Sequence, residues 1–213
     1  MSGFILFSLK KMRVIGLGSL MVMLFGCGST QLAQIPQEQQ GVEADYTYVV
    51  GPGDRMEIFV WGNEELTVND VEVRPDGKIS TRLVENIEAS GKTPSQLARD
   101  IETAYSEYVK SAVVSVILDE FEGVPSQQVR VVGEAQEPLK IPFRKHMTLL
   151  DVMVEVGGLT EFADGNKSVL IRSTGGNQSS YNIRLEDLLE EGDISANVAM
   201  FPGDIVIIPE AWF

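Results

Sequence analysis

The side chains best able to do chemistry in this sequence are few. Cys27 is the only cysteine and His146 the only histidine. A lone thiol forms no intrachain disulfide, and one thiol with one imidazole gives no cluster at metal-ligand spacing. Lys10, Lys11 and Arg13 precede an almost unbroken apolar run from Val14 to Phe25, and Gly26 then leads into Cys27. A run of about a dozen residues is too short to span a bilayer and suits the h-region of a signal peptide. The chemistry expected of Cys27 is therefore acylation after removal of residues 1–26. Translation starting at Met12 would leave Arg13 as the only charge of the n-region.

Acidic groups are abundant: 31 Asp and Glu against 17 Lys and Arg, for a net charge of −14. Losing residues 1–26 removes three cations and no acids, so what remains is more acidic still. This balance argues against nucleic acid as a partner, because that affinity comes mostly from cations neutralising phosphates. A glycosidase-type pair needs two carboxyls held across a bond with their pKa values pushed apart. Here the acids fall mostly at turns and at exposed alternating positions, where they serve solubility and helix N-termini. No Gly-x-Ser-x-Gly elbow and no phosphate-cradling glycine loop occurs. Neither catalysis nor a cofactor is expected, and His146, beside Arg144 and Lys145, reads as a solvated polar residue. Trp61 and Trp212 are flat enough to stack on sugar rings. Trp61 is expected in the sheet core, while the sequence leaves open whether Trp212 and Phe213 pack on the core or on a partner.

Two near-identical turns position the rest. In Gly51-Pro52-Gly53-Asp54 the proline presets the first corner and the glycine supplies the positive φ of a type II turn. Met56, Ile58 and Val60 then share one strand face, with Phe59 and Trp61 on the other. Phe201-Pro202-Gly203-Asp204 repeats the device ahead of Ile205–Ile208. The expectation for both turns is a structural role first, with contacts between subunits second. Around them, residues 27–44 read as a flexible tether, rich in Gln and without periodicity.

A first module, residues 45–122, combines a strand to Trp61 with a hairpin around Pro75-Asp76-Gly77 that joins Val71–Arg74 to Lys78–Leu83. Thr93, Pro94 and Gln96 form a capping box for a helix to about Val109, with Leu97, Ile101, Ala104 and Tyr108 inward. A buried strand over Ala112–Leu118 closes the module. The second module, residues 123–213, has a strand Gln128–Gly133 paired with Leu139–Phe143. A short helix capped at Thr148 follows, with Leu150, Met153 and Val154 inward and Gly157-Gly158 at its end. A hairpin around Gly175-Gly176-Asn177, a helical turn at Glu186–Glu190 and the final strand complete it. The fold class is α+β: a small α+β module followed by a β-grasp-like one.

The order of Gly51–Asp54, Trp61, Asp76-Gly77, Leu83-Val84, Gly91-Lys92-Thr93 and Val113–Val116 resembles the bacterial outer-membrane polysaccharide export lipoproteins. The second module's Val-x-Gly-Glu, Pro138, Thr148-Leu149, Gly157-Gly158, Arg172 and Pro202–Asp204 is similar to the soluble-ligand-binding β-grasp (SLBB) domain of that family. Thr81-Arg82 and Glu85-Asn86 depart from the family pattern, which commonly has a proline and a glycine there. The resemblance implies a lipoprotein anchored through Cys27 at the periplasmic face of the outer membrane. It also implies a ring-shaped homo-oligomer that passes an exported capsule or exopolysaccharide chain without altering it. The implied partners are an inner-membrane chain-length regulator and, because the sequence shows no pore helix after the second module, a separate outer-membrane β-barrel. Short members with a similar aromatic ending occur in exosortase-linked exopolysaccharide loci. A monomeric periplasmic saccharide-binding lipoprotein is the alternative, and a glycan-modifying enzyme a third class.

Overall fold

A computed structural model describes residues 32–35 and 46–212. Cys27, the signal segment, most of the expected tether and Phe213 lie outside the described residues. Within the expected tether, Ala33–Gln34 forms a strand, β1, and Ile35 is buried in the core of the second module. The tether expectation therefore fails at this point, because three residues with one apolar anchor are enough to extend an existing sheet edge.

In the first module β2 (Arg55–Val60) lies between β3 (Val68–Glu72) and β6 (Val114–Glu120), antiparallel to both. A two-stranded ribbon pairs β4 (Lys78–Ile79) with β5 (Ile87–Glu88), and helix α1 (Pro94–Tyr105) packs on the inner sheet face. β2 alternates as its sequence dictates, with Met56, Ile58 and Val60 at most 1 % exposed. The expected hairpin at Pro75–Gly77 survives only as a tight turn, in which Gly77 N–H donates to Arg74 O at 2.8 Å. Its flanks part company because Val73 stays with the chain leading into β2, accepting from Gly53 N–H and donating to Asp54 O, leaving β4 to find its partner at Ile87–Glu88.

The capping box on α1 forms as spelled: Thr93 Oγ1 accepts from Gln96 N–H, and Gln96 Oε1 accepts from Thr93 N–H. The helix stops at Tyr105, short of Val109, and its buried face is Leu97, Ala98, Ile101 and Tyr105. Tyr108, expected inward, is 62 % exposed because it lies beyond the last helical turn.

The second module is one six-stranded sheet in the order β1-β10-β9-β11-β7-β8. β7 (Gln128–Gly133) and β8 (Lys140–Pro142) form one hairpin, β9 (Ser168–Thr174) and β10 (Asn177–Ile183) the other. β11 (Ile205–Ile208) fills the gap between them, parallel to β7 and antiparallel to β9. Helix α2 (Leu149–Glu155) is capped reciprocally by Thr148 and Asp151, and α3 (Leu185–Leu189) follows β10. Leu149, Val152, Met153 and Val156 face the core at helical spacing. Val154, expected inward, is 73 % exposed, and Leu150 is only half-buried, because the inward stripe starts at Leu149 and continues at i+3, i+4 and i+7, which turns positions 150 and 154 away from it. Among the described residues no helix is long and apolar enough to cross a membrane.

Candidate functional site

Both Pro-Gly-Asp turns have the geometry their composition dictates. Gly53 and Gly203 take φ of +93° and +84°, and the Asp54 and Asp204 amides close back onto Gly51 O and Phe201 O. Each aspartate is fully buried, in phase with the inward residues of the strand it starts. Asp54 Oδ1 accepts from the Glu122 and Gly123 amides at 2.7 Å each. Its Oδ2 accepts from the Tyr48 hydroxyl at 2.6 Å and from Gly51 N–H at 2.9 Å. The first turn therefore binds the chain where it leaves the first module. A Cβ on Gly51 would sit 2.0 Å from Gly123 O, so only glycine permits this approach. The second turn meets the same connecting segment further on: a Cβ on Gly203 would lie 2.9 Å from Ser126 O, and Arg130 N–H donates to Asp204 O. Gln127 completes the seam, donating to Thr47 O and accepting from Val49 N–H.

The second aspartate does different work. Arg172, 4 % exposed, grips Asp204 through Nε and Nη2 at 2.6–3.3 Å and donates to Ala199 O. Its guanidinium carbon lies 4.0 Å over the centre of the Phe201 ring, a cation–π contact. Burial raises the Asp204 carboxyl above its ordinary pKa, and the Arg172 guanidinium and Phe201 amide oppose that rise.

Burial first, and then the hydrogen bond to Asp54, push the Tyr48 hydroxyl above the ordinary tyrosine range, and burial does the same to Tyr46. In the unfolded chain a tyrosine loses its proton near pH 10. The folded state holds that proton longer, so this contribution to stability is intact below about pH 10 and is lost as the pH rises above it. We expect the denaturation midpoint to fall more steeply above about pH 10 in the parent than in Tyr48→Phe, measured by circular dichroism; identical profiles would contradict the assignment.

Trp61 is not in the core. It follows β2 on the outward face and is 70 % exposed, edge-on to Phe59 at 6.3 Å between ring centres. Trp61 lies two residues beyond Phe59 and in phase with it: the inward set is even-numbered, and Trp61 is odd. Together with Glu57, Asn63, Glu64, Glu65 and Arg82 these rings line an open groove of about 950 Å³. Across the strand pair, Val113 and Ile117 continue the apolar stripe, both about half exposed. Indole and phenyl faces stack against sugar C–H surfaces, and the surrounding carboxylates, amide and guanidinium suit hydroxyl groups. An open groove of this kind grips weakly along a chain instead of enclosing one small molecule.

A second concavity, about 540 Å³, lies where the modules meet. Its walls are two edge-to-face aromatic pairs, Tyr46 with Phe143 and Tyr48 with Phe121, with ring centres 4.8 and 5.7 Å apart. Arg144 and Lys145 stand at its rim. His146, next to them, is exposed and has a positive φ of 66°. Among the described residues, no group of three or more His, Cys, Asp or Glu is arranged to hold a metal ion. Trp212 is 97 % exposed.

Residues 42–119 match the family described as polysaccharide biosynthesis/export protein, and residues 127–208 match the SLBB domain. The unmatched residues between them are the segment that the two aspartate turns clasp. The two matches occur in the order the fold displays them, each with its own core. The chain belongs to the polysaccharide export proteins, built here as an export module followed by an SLBB domain.

Proposed function

We propose that this protein is a lipid-anchored component of an exopolysaccharide or capsule export channel. On this reading Cys27 is acylated, the chain sits at the periplasmic face of the outer membrane, and several copies close into a ring around the passing polymer. The observation that carries the reading is the export module followed directly by an SLBB domain. The open aromatic groove at Trp61 supports it, since a conduit has to touch its cargo repeatedly without holding it. A net charge of −14 on the precursor opposes association of copies, so ring closure needs salt, divalent cations or a partner to screen it. The partners this reading requires are an inner-membrane chain-length regulator and an outer-membrane β-barrel. The Pro52–Asp54 and Pro202–Asp204 turns act within the protomer, and contacts between copies through them are secondary.

Deleting the gene tests the proposal. Polymer trapped in the periplasm is the expected outcome, while normal secretion, or loss of synthesis with no trapped intermediate, would count against it. Within the intact protein, Trp61→Ala is expected to lower secreted polymer severalfold while leaving the unfolding midpoint unchanged, because the indole is mostly in solvent. Unchanged secretion would remove Trp61 from the cargo path.

A further inference from the structure

We infer that the segment Glu210–Trp212 of one copy docks in the aromatic cleft between the modules of the next. This rests on the oligomeric reading above and names the contact that would build the oligomer.

The two surfaces are complementary in shape and charge. Trp212 is the most exposed large apolar side chain among the described residues, yet the backbone beneath it is fixed. Ala211 N–H donates to Phe162 O at 2.8 Å, and Glu210 bridges Ala163. The indole is thus held out on an ordered stalk instead of trailing from a loose end. Exposed Glu210 gives the stalk a negative charge. The cleft offers four aromatic walls and enough volume for an indole, and aromatic pairs favour the edge-to-face arrangement already present there. Arg144 is tied to Glu155 at 2.9 Å, whereas Lys145 forms no salt bridge among the described residues and offers Glu210 a cation at the cleft.

A copy cannot fill its own cleft. β11 runs parallel to β7, and Ile208 lies opposite Gly133 at the C-terminal end of β7. Pro142, a cleft residue, lies opposite Gln128 at the N-terminal end of the same strand. The five steps of β7 separate the two by about 17 Å, and the stalk continues in the opposite direction. Donor and acceptor surfaces at opposite ends of one sheet give a heterologous contact, which propagates from copy to copy and closes into a ring when the rotation allows. A saccharide is the less suited occupant, since the walls are largely apolar and the hydroxyl-binding groups are concentrated at the Trp61 groove.

The test is site-specific photo-crosslinking in the full mature chain, extracted in detergent, with a benzophenone amino acid at position 212. The expected product joins position 212 of one copy to the Tyr48, Phe121 or Phe143 region of another. Trp212→Ala should weaken self-association about tenfold or more, as loss of a buried tryptophan anchor does, with an unchanged unfolding midpoint. Lys145→Glu and Glu210→Lys should each weaken it, and their combination should recover most of the loss. Oligomers crosslinked elsewhere would sink this inference and leave the conduit reading standing. A chain that stays monomeric at every concentration would sink both. Protection of the cleft by polymer recovered from the parent culture, with no crosslink between copies, would assign the cleft to cargo and overturn the inference.

Discussion

Asp54→Ala is expected to destabilise the mature protein by about 3–5 kcal/mol, because two buried amides, a part-buried amide and a half-buried hydroxyl lose their acceptor together. An unsatisfied buried donor costs about 1–3 kcal/mol, and water reaching the cavity offsets part of the sum. Asp54→Asn should be milder. Its remaining oxygen can keep the Glu122 and Gly123 amides, while its NH2 group faces the Gly51 N–H as donor against donor. The Tyr48 hydroxyl can turn to accept from that NH2. Urea titration followed by far-UV circular dichroism reads the order directly: parent, then Asn, then Ala. An Asp54→Ala protein within about 1 kcal/mol of the parent would show that the seam between the modules relaxes freely. The location of the damage is also specific, since the amides of Glu122 and Gly123 should lose hydrogen-exchange protection before the strands on either side.

Asp204→Ala is expected to cost a similar amount, about 3–5 kcal/mol, for a different reason: it strands the Arg172 guanidinium in the interior without a counter-charge. Removing both charges should be far less harmful than removing one. In Arg172→Met with Asp204→Leu, apolar volume replaces the pair and the desolvation cost of both ions disappears. The double variant should therefore be markedly more stable than Asp204→Ala, although the Phe201 amide and Ala199 carbonyl lose partners that the pair supplied. A double variant as unstable as the single would mean that those backbone contacts, not the ion pair, hold the second turn in place.

The elements with strong local grammar were legible in the sequence. The capping boxes at Thr93 and Thr148, the Gly175-Gly176 hairpin and the strand after each Pro-Gly-Asp turn all follow from residue type and spacing. The Pro75–Gly77 hairpin was misread because a turn signal fixes where a chain reverses and not which strands it joins. β3 and β4 are drawn to partners the turn knows nothing of. The interior roles of Asp54 and Asp204 had a readable signal that turn chemistry masked. Each is even-numbered, in register with Met56 or Val206, so period-two alternation points its side chain inward. The same parity places Trp61 outside, against its apolar character. The cleft between the modules had no local signature, since Tyr46, Phe121 and Phe143 are distant in sequence and converge only through tertiary packing.

β11 is a central strand of its sheet and also the last of the described strands to be made. Until it arrives, the β7–β8 and β9–β10 hairpins each present a bare edge of unpaired amides and carbonyls beside valine and isoleucine side chains. Such edges recruit one another and seed aggregation. The second module therefore cannot lock its sheet until Ile205–Ile208 have been added, however far the strands before them have folded.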